Sequence, residues 1–268
     1  MAEGSGGQTV LKFAYLGSGS RGNSALIEAG ETCIMLDCGF SVRQVQQRLA
    51  RLGRVPADID ALLVTHEHSD HASGAGAIAR RHGIRVFMTP GTYAGCRDQD
   101  IPTLNMLNCH APLEIGDLRI EPVPVPHDAR EPCQFVFEAG NLRLGVLTDA
   151  GHVTRHMLNA YEGCDTLMLE CNHDLEMLAR GPYPPALRQR VGGDLGHLNN
   201  AQAAKMVDDL RGGGLGRVLA AHVSEKNNTH ALARAALAAS FDCDPEEIEV
   251  VAQDAGIAWQ AVAASQMA

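Results

Sequence analysis

The stretch Leu62-Leu63-Val64-Thr65-His66-Glu67-His68-Ser69-Asp70-His71 decides how this chain is read. An apolar run of strand length leads straight into three histidines and an aspartate. Imidazole and carboxylate are ligands that suit zinc, iron or manganese. In an extended or turning loop, His66 and His68 lie two residues apart and can point the same way. Asp70 and His71 fall on the turn into the next helix and can face a second ion, whereas Glu67 and Ser69 would point elsewhere. The competing reading is a chance polar loop, which must gather three of the chain's 12 histidines by accident.

A metal centre needs ligands from elsewhere in the chain. His127 follows Val123-Pro124-Val125-Pro126, Asp149 ends the run Leu144–Thr148, and His222 ends Val218–Ala221. Each is a polar residue placed where an apolar strand stops, and strand ends hold side chains rigidly. Taken singly, any of the three reads equally well as a surface residue.

The rest of the sequence supplies a scaffold. Short apolar runs of strand length recur, among them VLKFAYLG, CIMLDCG, CQFVFEAG, LRLGVLTDA, TLMLEC and RVLAAHV, each ending in a turn-forming or polar residue. Gly140-Asn141 reads as a tight hairpin turn. Helical patterns fall at Ser41–Leu52, with Ser41 as cap, and at Ala72–His82, Asn199–Arg211 and Thr229–Ser240. Gly53 and Gly212–Gly214 are stop signals. Strands in hairpins come first and helices alternate with strands later, which fits an α+β protein with helices on the outer faces of two sheets.

Length and composition agree. The 268 residues, 45% of them apolar, exclude a mainly disordered chain, and no apolar window is long enough for a membrane span. The opening MAEGSGGQTV has neither a basic region nor an apolar one, so residues 1–9 read as a flexible tail and residues 10–262 as one domain. The eight cysteines form no CxxC pair and read as reduced thiols, which suits a cytoplasmic location. A net charge of −10 argues against bulk coating of nucleic acid but leaves room for a local basic groove.

HxHxDH followed by a His, an Asp and a final His, each after a strand, resembles the metallo-β-lactamase superfamily. The resemblance runs from about Val10 to Trp259. It implies a four-layer αββα sandwich with a dinuclear metal site at one edge of its two sheets. It also implies that Asp37, in IMLDCG, supports the metal loop from beneath. LGSGSRGNS, LDCGFS, LTDAGH, LECNHDLEML, GHLNN and HVSEKNN are similar to the YycJ (VicX, WalJ) subgroup of cytoplasmic metallohydrolases, linked to 5′→3′ exonuclease action on DNA. Carried onto this sequence, the resemblance implies His66, His68 and His127 on one ion. Asp70, His71 and His222 fall on the other, with Asp149 between them. The ions would be Zn2+, Mn2+ or Fe2+. Arg21 and Cys171 stand where the subgroup often has Ser, and GHLNN stands for GHLSN; the ligands are untouched by these departures.

Two divalent ions about 3.5–4 Å apart bring a shared water's pKa toward neutrality, giving a nucleophile at physiological pH. Asp70 could additionally accept the nucleophile's proton. His197, just before a helix, could protonate a leaving oxygen or be a simple capping-region histidine. Ser224, Asn227 and Asn228 could bind phosphate or cap the following helix. Arg21 could contact phosphate or sit exposed in a hairpin loop. His173 and Glu170 could orient ligands or be a helix-start residue and a solvent-facing carboxylate. Arg180, Arg188 and Arg190, near Tyr183, could line a strand-binding groove or form a solvated face.

The leading expectation is therefore a dinuclear phosphodiesterase acting on DNA. A thioester or lactone hydrolase of glyoxalase II type is the main alternative. A tRNA-processing nuclease is less expected, because no long basic arm is inserted. A non-catalytic regulator should have lost ligands, and none is lost here.

Overall fold

In the computed structural model, which describes residues 10–264, the chain forms two seven-stranded sheets with helices outside them. The first sheet contains β1 (Leu11–Gly17), β2 (Ser24–Ala29), β3 (Thr32–Leu36), β4 (Ala61–Leu63), β5 (Arg85–Met88) and β6 (Leu104–Met106). The second contains β7 (Leu113–Ile115), β8 (Leu118–Pro124), β9 (Cys133–Ala139), β10 (Leu142–Leu147), β11 (Thr166–Glu170), β12 (Arg217–Ala221) and β13 (Glu249–Val250). The last strand, β14 (Ile257–Ala261), returns to the first sheet and pairs with β1.

The strands are apolar on both faces, and that is why the molecule has four layers. In β3, Ile34 and Leu36 enter the core between the sheets, while Cys33 and Met35 pack outward under helices. In β12, Leu219 and Ala221 face inward and Val218 and Ala220 outward. Period-two alternation of two apolar sets requires cover on each side, and helices supply the outer cover. On the first sheet these are α1 (Val42–Arg51) and α3 (Ala75–His82). On the second they are α5 (Arg155–Tyr161), α8 (Asn200–Arg211) and α9 (His230–Phe241). Helix α8 buries Ala203, Met206, Val207 and Leu210, the one-face spacing of an amphipathic helix. The expected α+β, four-layer αββα arrangement is the one observed.

The strand directions place the site. β3 and β4 run parallel, as do β10, β11 and β12, and β8 and β10 both lie antiparallel to β9. The carboxyl ends of β3, β4, β8, β10, β11 and β12 therefore open at one edge of the sandwich.

Boundaries match the expected helices, with one instructive exception. Ser41 and Asn199 cap α1 and α8 through reciprocal bonds with Gln44 and Gln202. Gly140-Asn141 is the two-residue turn between β9 and β10. The helix expected over Ala72–His82 is broken into α2 (Ser69–Ala72) and α3, around Gly74. The Gly74 N–H donates to the Cys38 carbonyl, and a Cβ there would lie 2.1 Å from the Phe40 carbonyl oxygen. Other short elements were not foreseen, namely α4 (Pro90–Gly95), α5 and α7 (Pro185–Val191), with strands β6, β7 and β14, whereas α6 (Leu175–Arg180) begins at the segment read as a helix start, with Asp174 as its cap. The expected tail at residues 1–9 lies outside the described residues. No helix among the described residues is long and apolar enough to cross a membrane. All eight cysteines are free, and all but Cys243 are buried.

Candidate metal centre and its cleft

Seven expected ligands meet at this edge. His66, His68 and His127 bring one ring nitrogen each to within 4.8 Å of one another, and Asp70, His71 and His222 form a second such group. Asp149 joins both sides: it groups with His66 and His71, and again with Glu170, His197 and His222. Asp149 Oδ1 lies 3.1 Å from His222 Nδ1, and its Oδ2 lies 3.0 Å from His71 Nε2.

Supporting bonds set each ring. Asp37 Oδ2 sits 2.7 Å from His71 Nδ1, which turns His71 Nε2 toward Asp149 and Asp70. Asp37 Oδ1 accepts from the Thr65 N–H at 2.8 Å, tying the loop after β4 to the end of β3. His66 Nδ1 meets the Thr65 hydroxyl at 2.9 Å, and His127 Nδ1 meets the Gly196 carbonyl at 2.9 Å. Partners of this kind fix which ring nitrogen is presented to a metal. Among the described residues, Asp37, Asp149 and His222 are three of four non-glycine residues with positive φ, at 57°, 58° and 50°. That conformation costs an L-residue about 1–2 kcal/mol and gathers at functional sites.

The charges are strongly coupled. Burial alone would lower the His71 imidazolium, but Asp149, Asp37 and Asp70 outweigh it and raise it well above the ordinary value. Burial, with His71 beside it, pushes His66 well down. Burial would raise Asp149, yet His222 and His71 hold it well below the usual carboxylate range. Among the described residues buried His66 Nε2 makes no hydrogen bond, and Asp149 Oδ2 and His222 Nε2 meet only other candidate ligands, His71 Nε2 at 3.0 Å and Asp70 Oδ2 at 3.6 Å. Polar atoms left so are rare and costly, and divalent cations fit this nitrogen–oxygen donor set.

Glu170 is the functional residue that sequence reasoning undervalued. It is fully buried; its Oε2 accepts from the Ala150 and Leu198 N–H groups, and its Oε1 lies 2.7 Å from His197 Nδ1. Burial would raise its carboxyl, but His197 and His222 pull it down to about 2. The signal was available, because Glu170 ends β11 as Asp149 follows β10. Thr65 and Asp128 were also missed. Asp128 Oδ1 lies 3.5 Å from His68 Nε2, and its other oxygen pairs with Arg190.

A cleft of about 620 Å³ opens over the centre. His68, Asp70, Asp149, His197 and His222 form its floor; Cys96, Arg97 and Asp98 border it, as do Tyr183, Leu187 and Arg190. The remaining candidates stand apart from it. Arg21 is exposed and paired with Glu225 and Asp254. Ser224 Oγ accepts from the Asn227 N–H, and Asn228 is spent on Asn200 and the Cys171 carbonyl. Asn227 is buried beneath Gly181. His173 is buried with both ring nitrogens unpartnered, against Gly192. Arg180 pairs with Glu176 along its own helix, and Arg188 donates to the Ala179 carbonyl.

Fold, the strand-end cluster of histidines and aspartates, and cleft together define a metallo-β-lactamase-fold hydrolase. Residues 32–223 match the Beta-lactamase superfamily domain, and the chain belongs to that superfamily. Within it, the chain is 34% identical to "Exodeoxyribonuclease WalJ" of Streptococcus pneumoniae, across 83% of this chain and 85% of that one. It is 33% identical to "Exodeoxyribonuclease YycJ" of Bacillus anthracis, across 84% and 86%. The fold superposes on the metallo-beta-lactamase fold protein YhfI of Bacillus subtilis with a TM-score of 0.74 at 17% identity, covering 95% of this chain and all of that one.

Proposed function

We propose that residues 10–262 form one dinuclear metal-dependent phosphodiesterase that degrades DNA from a strand end. The carrying observation is the convergence of seven histidine and aspartate side chains at one strand edge, with buried His66 Nε2 left without a hydrogen bond among the described residues. In this reading His66, His68 and His127 hold one ion, Asp70, His71 and His222 the other, and Asp149 lies between. Such ions supply charge neutralisation at a phosphodiester and acidify a water. The chain's own groups do the rest. Asp37 and Thr65 hold the HEHSDH loop in register. Glu170 orients His197 through Nδ1, which leaves its Nε2, without a hydrogen-bond partner among the described residues, at the cleft floor to give a proton to the leaving oxygen. Asp70, partly open to the cleft, is placed to receive the nucleophile's proton. DNA as substrate is supported by the two relatives named exodeoxyribonucleases.

The test pairs metal analysis with a substrate panel. Purified protein supplied with Mn2+ or Zn2+ is expected to hold about two ions per chain and to digest 5′-phosphorylated DNA. His68→Ala is expected to lose metal and at least a thousandfold in rate. Hydrolysis of S-lactoylglutathione without DNA digestion would move the same centre to thioester chemistry. Digestion by His68→Ala at the wild-type rate would sink the proposal.

A further inference from the structure

We propose that Tyr183 is the platform on which the nucleobase flanking the scissile phosphodiester stacks; this rests on the nuclease reading above. Aromatic residues are scarce here, with 4 Tyr, 6 Phe and 1 Trp. Most of them are spent on packing: Phe13, Phe135, Phe137 and Tyr161 are fully buried. Tyr183 is instead half-buried on the wall of the catalytic cleft, and apart from the histidines it is the only ring lining it among the described residues. No ring stacks on it and its hydroxyl has no hydrogen-bond partner among the described residues, so it does not serve as a core residue.

Its backbone is unusually constrained for a connecting segment. Pro182 precedes Tyr183, and Pro184 and Pro185 follow it. A proline fixes its own φ and restricts the residue before it, so the ring is held ready at little entropic cost. Gly181 anchors the turn, since a Cβ there would fall 2.4 Å from Asn227 Oδ1. The charges beside the ring suit a strand rather than an acyl group. Lys226 Nζ lies over one face of the ring, 5.7 Å from its centroid, which leaves the other face for a base, and Arg97 lines the same cleft; neither cation has an ion-pair partner among the described residues. A π face beside cations that are free to meet phosphate is how single strands are bound.

The experiment compares two single-stranded DNA oligonucleotides that differ only at the end where digestion starts, one carrying a normal terminal nucleotide and the other an abasic one. Wild-type enzyme is expected to prefer the normal end by about ten- to a hundredfold in kcat/KM, mostly through KM. Tyr183→Ala and Tyr183→Leu are expected to lose that preference, while Tyr183→Phe and Tyr183→Trp retain it. A terminal 2-aminopurine should be quenched on binding to wild type and Tyr183→Phe but not to Tyr183→Leu. Equal cleavage of both oligonucleotides by wild type, or a preference that survives in Tyr183→Leu, overturns the stacking role and leaves the nuclease reading standing. If the metal-loaded enzyme cleaves neither, the nuclease reading falls and the stacking role falls with it.

Discussion

At the scale of residues, the site is a set of strained and over-supported side chains. Asp37 and His222 keep left-handed backbone because neighbouring bonds hold it: the Asp37 N–H donates to the Leu63 carbonyl and the His222 N–H to Ser18 Oγ. His197→Asn is expected to keep the fold and the metal content while kcat falls about 10²–10⁴-fold, the range for removing a proton donor. An unchanged kcat in steady-state kinetics would leave His197 as a structural partner of Glu170. Gly39 is a steric requirement. A Cβ at that position would lie 1.8 Å from the Asp70 carbonyl oxygen and 2.8 Å from the Asn23 nitrogen. Gly39→Ala must therefore push the Asp70 loop away, and it is expected to destabilise the protein by about 1–3 kcal/mol and to lower metal occupancy. Chemical denaturation and metal analysis of the same sample check both effects.

Elements matter here by the way their ends are tied. The Asn199 side chain, two residues after His197, accepts from the Gln202 N–H at 2.9 Å and caps the start of α8. Asn199→Ala is expected to cost about 1 kcal/mol in urea denaturation, the usual loss for an N-cap. It should also reduce kcat, because the same turn carries the Leu198 N–H that Glu170 accepts. Full stability and full rate together would show that the turn is held elsewhere. The long helices were legible because their apolar spacing and caps agree, as in α1 and α8. By contrast, α4, α5, α6 and α7 are each a turn or two long, and α7 buries no residue at all, so no periodicity announces it. Glycine behaved differently at two neighbouring places. Gly53, at φ 68°, follows α1 as a stop signal, whereas Gly74 broke a continuous pattern because the Cys38–Phe40 backbone passes against it.

On the scale of the whole molecule, the two sheets share one apolar core while their carboxyl edges gather carboxylates and imidazoles that repel like neighbours or lack partners. Bound cations would relieve both conditions, so metal binding and folding should be linked. With ions present at about 1,000 times their Kd, the native state gains about 4 kcal/mol for each occupied site. Emptying one site by chelation is then expected to lower Tm by roughly 8–16 °C for a chain of this length, and emptying both by more. A Tm in calorimetry that does not move with EDTA would mean that the centre is not filled in the native protein.

The sequence by itself determined the chemistry and the layering. Histidines and aspartates at the ends of apolar runs set the ligand types, and strands apolar on both faces demanded helices outside and a second sheet within. Only the tertiary structure decided which side chains actually converge. It moved Glu170 from an ambiguous strand end to a buried partner of His197, and withdrew Arg21, Ser224 and Asn228 into bonds of their own. It also set Tyr183 and Arg190, from the segment with two readings, on the wall of the cleft, and left Arg180 and Arg188 off it. The physical reason is that ligand type and side-chain period are local properties of a chain. Convergence depends on how parallel strands distant in sequence bring their ends to one edge.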